Sequence, residues 1–166
     1  MKLYRITAAP YSNALDGMGA SLRQSGGRWN ASGVPMIYAS ESRALAFAEV
    51  MAHFKGLKRF PVNHDLVAYL VKGTKGIRRL VPSKLPADWN LPGPPFPRIT
   101  QALGSAFISS NDLLMRVTSV IIPHEWNYLI NPNAIPGRLS IESIEPFRLD
   151  PRFNIFIGGQ LQRPGP

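Results

Sequence analysis

Residues 34–52 read Val34-Pro35-Met36-Ile37-Tyr38-Ala39-Ser40-Glu41-Ser42-Arg43-Ala44-Leu45-Ala46-Phe47-Ala48-Glu49-Val50-Met51-Ala52. The first six form a short apolar run with branched and aromatic members, entered from Gly33, and predict a strand. No glycine or proline occurs from Arg43 to Phe54. Ser40 or Ser42 can cap the free amides of a first helical turn, and the charge of Glu41 suits the positive helix end. A strand therefore leads into a helix predicted over 42–55. Upstream, residues 2–7 alternate polar and apolar side chains and predict a first strand, followed by a polar connection through Gly17, Gly19, Gly26 and Gly27. Downstream, residues 65–71 predict a further strand and 76–81 another. The prolines between Pro82 and Pro97 then exclude regular structure, and with Trp89 they favour an ordered loop packed over the domain. Residues 98–109 predict a helix with Ile99, Leu103 and Phe107 on one face, and 114–122 a central strand ended by Pro123. Residues 127–132 read as a turn-rich connection, and 138–149 as a last strand broken at Pro146. Strands outnumber helices without β-α-β alternation. The expected fold is α+β, a single domain around a mixed, mostly antiparallel sheet with a few helices. It should span residues 1–153, leaving a glycine- and proline-rich tail at 154–166.

Composition limits the function classes. A chain of 166 residues, 45% hydrophobic, suffices for one core. No stretch approaches the roughly 20 apolar residues of a membrane span, and residues 1–7 lack the apolar core of a secretory signal. A cytoplasmic protein without a membrane partner is expected. There is no cysteine, which excludes disulfides, thiolate metal sites and a cysteine nucleophile. The net charge is +9, and eight lysines and arginines between Lys55 and Lys84 face one acidic residue, Asp65. Such a surface attracts nucleic acid, an acidic protein or a phosphate-bearing small molecule, or simply keeps the chain soluble.

Glu49 is the most informative position for chemistry. It lies in an apolar stretch, where an ionised carboxylate without partners costs on the order of several kcal/mol. It should have a hydroxyl or cationic partner. The alternative is a place on the narrow exposed stripe of the helix or in a structural ion pair. In Gly26-Gly27-Arg28-Trp29-Asn30 the two glycines allow close approach of a ligand and Arg28 offers a planar fork of donors for phosphate or hydroxyl groups, although the same letters also make an ordinary turn. Tyr38 could stack on a nucleobase or nicotinamide ring, or be core. Ser119, inside an apolar strand, needs a hydrogen-bond partner if buried. His53, His64 and His124 have no metal-ligand spacing, so no metal is expected. Neither a phosphate loop nor the dinucleotide fingerprint of glycines is present.

Taken in order, the motifs resemble the RES-domain family. They comprise Leu3-Tyr4-Arg5-Ile6, Gly17-x-Gly19-Ala20, Gly26 to Asn30, Gly33, Ile37-Tyr38-Ala39 and Ala44 to Glu49. Downstream they continue with Leu85-Pro86-x-x-Trp89, Gly104, Val117 to Val120, Ile122-Pro123, Asn127 to Pro132 and Asp150-Pro151-Arg152. Departures are modest: Thr118 stands where the family often has proline, and Phe107 where it tends to tryptophan. The resemblance implies an ADP-ribosyltransferase-like fold and the toxin of a bacterial toxin–antitoxin module. It sets the family's Arg, Glu and Ser on Arg28, Glu49 and Ser119 and its tyrosine on Tyr38, with Gly27, Trp29, Asn30 and Asn131 also contacting substrate. NAD would be a substrate, with no permanently bound cofactor. Relatives degrade NAD by hydrolysis or phosphorolysis, or pass ADP-ribose to a protein of nucleotide metabolism. A Xre-type antitoxin would bind the toxin and occlude its pocket, and nucleic acid would be met only through that complex.

The residue chemistry agrees with breaking the nicotinamide–ribose bond. The oxocarbenium-like centre needs a carboxylate, which Glu49 supplies, and the cationic leaving group needs no strong acid. Two readings compete with transfer to water or phosphate: a protein mono-ADP-ribosyltransferase, and a basic nucleic-acid-binding module.

Overall fold

The computed structural model describes residues 1–19, 26–53, 63–73, 77–92 and 96–153. The alternating first segment forms strand β1 (Lys2–Ala8), with Leu3 and Ile6 buried on opposite faces. It is joined by β2 (Ile37–Ser40), β3 (His64–Val71), β4 (Ile77–Arg79), β5 (Leu114–Thr118), β6 (Trp126–Ile130) and β7 (Leu139–Phe147). These build a seven-stranded sheet in the order β4-β5-β6-β2-β1-β3-β7. The β4–β5 pair is parallel and the other neighbours are antiparallel. Two helices accompany it, α1 (Arg43–His53) and α2 (Arg98–Ile108). This is the α+β, mostly antiparallel architecture expected from the sequence.

The pairing is uneven. β1 and β3 are in register from Lys2↔Leu70 to Ala8↔His64, whereas β1 and β2 share the single pair Tyr4↔Ser40. The centre of the sheet is thus a narrow seam, and α1 packs against both strands beside it. Ser42 caps α1 as expected, its Oγ accepting the Leu45 amide at 3.0 Å.

Register decides what each face carries. Tyr38 and Ser40 share a face with Leu129 and Asn127, and these with Met115 and Val117. The apolar part of that face packs with Trp29, Met36, Phe107 and Ile108 beneath α2 and the proline segment; Leu80, Leu85 and Trp89 pack against the same cluster. The opposite face holds Ile37, Ala39, Leu114 and Ile130 together with Leu3, Val67, Tyr69 and Val71.

Four local expectations need correction. Residues 127–132 do not form a turn-rich connection: Trp126–Ile130 is a full strand, inserted between β2 and β5. β5 stops at Thr118 rather than at residue 122, because the Ser119 hydroxyl accepts the amides of Ile121 and Ile122, each at 3.0 Å, and turns the chain away. Pro146 does not break β7, which runs to Phe147; as an edge strand paired with β3 alone it tolerates a residue without an N–H. The buried face of α2 is Thr100, Gly104, Phe107 and Ile108, while Ile99 is exposed. Gly104 sets that rotation, since a Cβ there would lie 1.5 Å from the Trp29 carbonyl oxygen. The tail at 154–166 and Lys55, Lys58, Arg59 and Lys75 of the basic run lie outside the described residues.

Candidate active site

The site occupies the polar end of the face that carries Tyr38. Glu49 is partly buried on α1, and its Oε1 accepts two bonds, from Ser119 Oγ at 2.7 Å and from Asn127 Nδ2 at 2.5 Å. The hydroxyl partner expected for this carboxylate is therefore Ser119. Ser119 reaches it from the turn after β5, held by its own backbone bond to Glu125 and by the two amides its oxygen accepts. Asn127, on β6, is oriented in turn by Ser40 on β2, whose Oγ donates to Asn127 Oδ1 at 2.7 Å. One carboxylate oxygen of α1 is thus held by the turn after β5 and by β6, with β2 behind β6. No hydrogen bond within the described residues engages Oε2 of Glu49.

The Arg28 loop forms the second wall. Gly26 takes φ +76, which turns the chain so that the Gly27 amide bonds the Asn30 carbonyl at 2.9 Å. Tyr38 Oη donates to Asn30 Oδ1 at 2.5 Å and accepts the Trp29 amide at 3.2 Å, tying β2 to the loop. Burial pushes the Tyr38 hydroxyl above its ordinary pKa, keeping it a neutral donor. From the other side Gln101 of α2 donates to the Gly27 carbonyl at 3.0 Å. Arg28 donates to the carbonyls of Trp89 and of Leu91, the latter at 2.8 Å, and lies over the Phe96 ring at 5.3 Å. Partial burial lowers the pKa of Arg28, and the charge of nearby Glu49 opposes that shift. A cation and a carboxylate therefore face the same region.

This arrangement suits a ligand that combines phosphate with hydroxyl-bearing sugar: Arg28 for the anion, the open oxygen of Glu49 for a hydroxyl or a developing positive charge. No group of three or more His, Asp or Glu among the described residues could hold a metal ion.

A family model described as RES domain matches residues 2–151. The chain belongs to the RES domain family. A protein named "Prs ADP-ribosylating toxin" from Sphingobium sp. (strain YBL2) is 36% identical over 151 residues, covering 88% of this chain and 91% of that one. A "Toxin Res" from Photorhabdus laumondii is 35% identical over 152 residues, covering 90% and 92%. Among solved structures, a chain from the M. tuberculosis MbcT–MbcA toxin–antitoxin complex superposes with a TM-score of 0.65 at 20% identity, covering 96% of this RES chain and 89% of that chain. The α+β fold expected from the sequence is thus shared with that chain over nearly its whole length.

Of the residues named from sequence, the RES fold brings Arg28, Tyr38, Glu49 and Ser119 into one region. Gly27 lies under Tyr38, where a Cβ would meet Oη at 2.6 Å. Three others have structural work. Trp29 is buried in the core against Met36 and Phe107, its ring 5.9 Å from that of Trp89. Asn30 is buried, with Oδ1 bonded to Tyr38 and Nδ2 to the Val34 carbonyl at 3.0 Å. Asn131 is fully buried, donating to the Ser110 carbonyl at 2.9 Å and accepting the Asn133 amide at 3.0 Å. Asn30 thereby ties the Arg28 loop to β2, and Asn131 ties the end of β6 to the end of α2. Sequence reasoning missed Asn127, Ser40 and Gln101 as site-building residues. Asn127 was hidden by its neighbours Asn131 and Pro132, which make the segment look like a turn.

Proposed function

We propose that this protein is the toxin of a bacterial toxin–antitoxin module and cleaves the nicotinamide–ribose bond of NAD. The observation that carries the reading is Glu49, whose Oε1 is fixed by two donors while no hydrogen bond among the described residues takes Oε2, with the Arg28 guanidinium near enough to feel its charge. In the reaction the bond between ribose C1′ and the nicotinamide nitrogen breaks heterolytically. The electron pair leaves with nicotinamide, which becomes neutral, and positive charge develops on the ribose. Glu49 stabilises that charge and accepts a ribose hydroxyl, and the further N–H donors of Arg28 bind the pyrophosphate or ribose. Tyr38 flanks the nicotinamide with its ring, and Ser119 keeps Glu49 in place. An oxygen of water or phosphate then attacks C1′, with any released proton passing to solvent.

A second reading keeps the bond-breaking step and changes the acceptor to a protein side chain. It is favoured by the name of the Sphingobium relative, an ADP-ribosylating toxin. The partner in either case is a Xre-type antitoxin that covers the site in the cytoplasm, a reading supported by relatives named as toxins and by a fold neighbour taken from a toxin–antitoxin complex. No helix among the described residues is long and apolar enough to cross a membrane.

The test is incubation of purified protein with NAD labelled in the adenylate part, with and without phosphate and with cell lysate. Free ADP-ribose, its 1″-phosphate or labelled protein identifies the acceptor. Glu49→Ala should abolish NAD loss while the circular dichroism spectrum is retained. NAD that stays intact with the wild-type protein, or equal turnover by folded Glu49→Ala, overturns the assignment.

A further inference from the structure

We infer that Asn127 and Ser40 form a relay that positions Glu49, with Asn127 the positioning residue and Ser40 acting only through it. The inference rests on the reading of Glu49 as the carboxylate that faces the ribose. A glutamate on a helix has three side-chain torsions, and a carboxylate rotating about the last of them presents either oxygen equally. Ser119 alone makes one bond to Oε1 and cannot stop the group swinging about that contact. The second bond, from Asn127 Nδ2 to the same Oε1, fixes the plane of the carboxylate and leaves Oε2 as the oxygen that no hydrogen bond among the described residues takes.

An amide could present either its oxygen or its nitrogen to Glu49, and oxygen would repel it. The carboxylate therefore selects the nitrogen, and Ser40 holds the amide in that orientation, its hydroxyl donating to Asn127 Oδ1 at 2.7 Å. Ser40 is buried, and the register pairs it directly with Asn127, so the contact is set by the β2–β6 ladder rather than by mobile surface chain. Ser40 also stands opposite Tyr4 at the single register pair joining β1 to β2. The orientation of the carboxylate is therefore tied to the seam of the sheet. Neither residue needs to touch substrate, because Asn127 acts through its bond to Glu49 and Ser40 through its bond to Asn127.

The experiment measures kcat and KM for NAD cleavage in wild type, Asn127→Ala, Ser40→Ala, the double variant and Glu49→Gln, with folding checked by circular dichroism and thermal melting. Asn127→Ala should lower kcat by roughly tenfold to a hundredfold, the scale of a misplaced catalytic group, and change KM for NAD less than about threefold, the pattern of a lost transition-state interaction. Ser40→Ala should lose less. The double variant should be no slower than Asn127→Ala, since a residue acting only through another adds nothing once that residue is gone. Wild-type kcat in folded Asn127→Ala, a raised KM with kcat unchanged, or multiplying losses in the double variant each overturn the relay. Glu49→Gln separates the two claims: if it is inactive while Asn127→Ala is normal, only the relay fails. If Glu49→Gln cleaves NAD normally, or the wild type does not cleave it, the reading of Glu49 fails and the relay with it.

Discussion

Gly27 sits under the Tyr38 hydroxyl, and a Cβ there would lie 2.6 Å from Oη and 2.9 Å from Asn30 Oδ1. Its φ is not in the left-handed region, so the requirement for glycine is one of space alone. Gly27→Ala should push Tyr38 off Asn30 and destabilise the protein by about 1–3 kcal/mol, the usual cost of overpacking. Tyr38→Phe should cost a similar ~1–3 kcal/mol by leaving the buried oxygen of Asn30 without its donor. The two should not add, because removing the hydroxyl makes room for the methyl. Urea unfolding of both single variants and the double tests this, and fully additive losses would show that the methyl strains something other than Tyr38. At the same site Glu49 is held by Ser119 and Asn127, and the Arg28 loop by Tyr38 through Asn30 and by Gln101.

At the scale of elements, α2 lies so close to the Arg28 loop that Gly104 meets the Trp29 carbonyl where a side chain would begin. Gly104→Ala, ordinarily a helix-stabilising change, should here cost more than about 3 kcal/mol or prevent soluble expression, because the atom in the way is backbone and cannot rotate aside. Ala102→Ser, on the exposed side of the same helix, should stay within about 0.5 kcal/mol of wild type. A Gly104→Ala protein that melts at the wild-type temperature would mean that the helix can shift away freely. This contact also explains which parts of the fold were legible. The strands β1 and β3 and the existence of both helices follow from local patterning, whereas the buried face of α2 is set by the tertiary contact at Gly104. β6 was not legible, since Asn127, Asn131 and Pro132 mark a turn. The segment is a strand because β2 and β5 bond it on both sides, a long-range effect no local window contains. Missing β6 as a strand also meant missing Asn127, whose amide reaches Glu49 only because strand register carries it there. Glu49 itself was legible, because a carboxylate in an apolar helix demands a partner, but Asn127 could be recognised as one only once the strand order was known.

Taken whole, the molecule places two phenols whose ionisation is opposed by burial on opposite faces of one sheet. Tyr38 belongs to the face with the site and Tyr69 to the other, where it is fully buried beside Leu3. Burial raises both above the ordinary tyrosine value of 10.0, with Arg5 working against the shift at Tyr69 and the Trp29 amide and Arg28 against it at Tyr38. Below about pH 9 each phenol is protonated whether the chain is folded or not, and neither contributes to the pH dependence. Above pH 10 the unfolded chain releases these protons while the folded chain retains them. The unfolded state then binds fewer protons, and stability falls with rising pH by up to about 1.4 kcal/mol per pH unit for each phenol. Unfolding free energies measured by urea between pH 8 and 11 should therefore be level up to about pH 9.5, as far as these groups are concerned, and decline beyond it. Tyr69→Phe and Tyr38→Phe should each make that decline shallower, whatever they do to the stability at neutral pH. An unchanged alkaline slope in both variants would mean that the phenols ionise as readily inside the sheet as in water, against the burial that raises them.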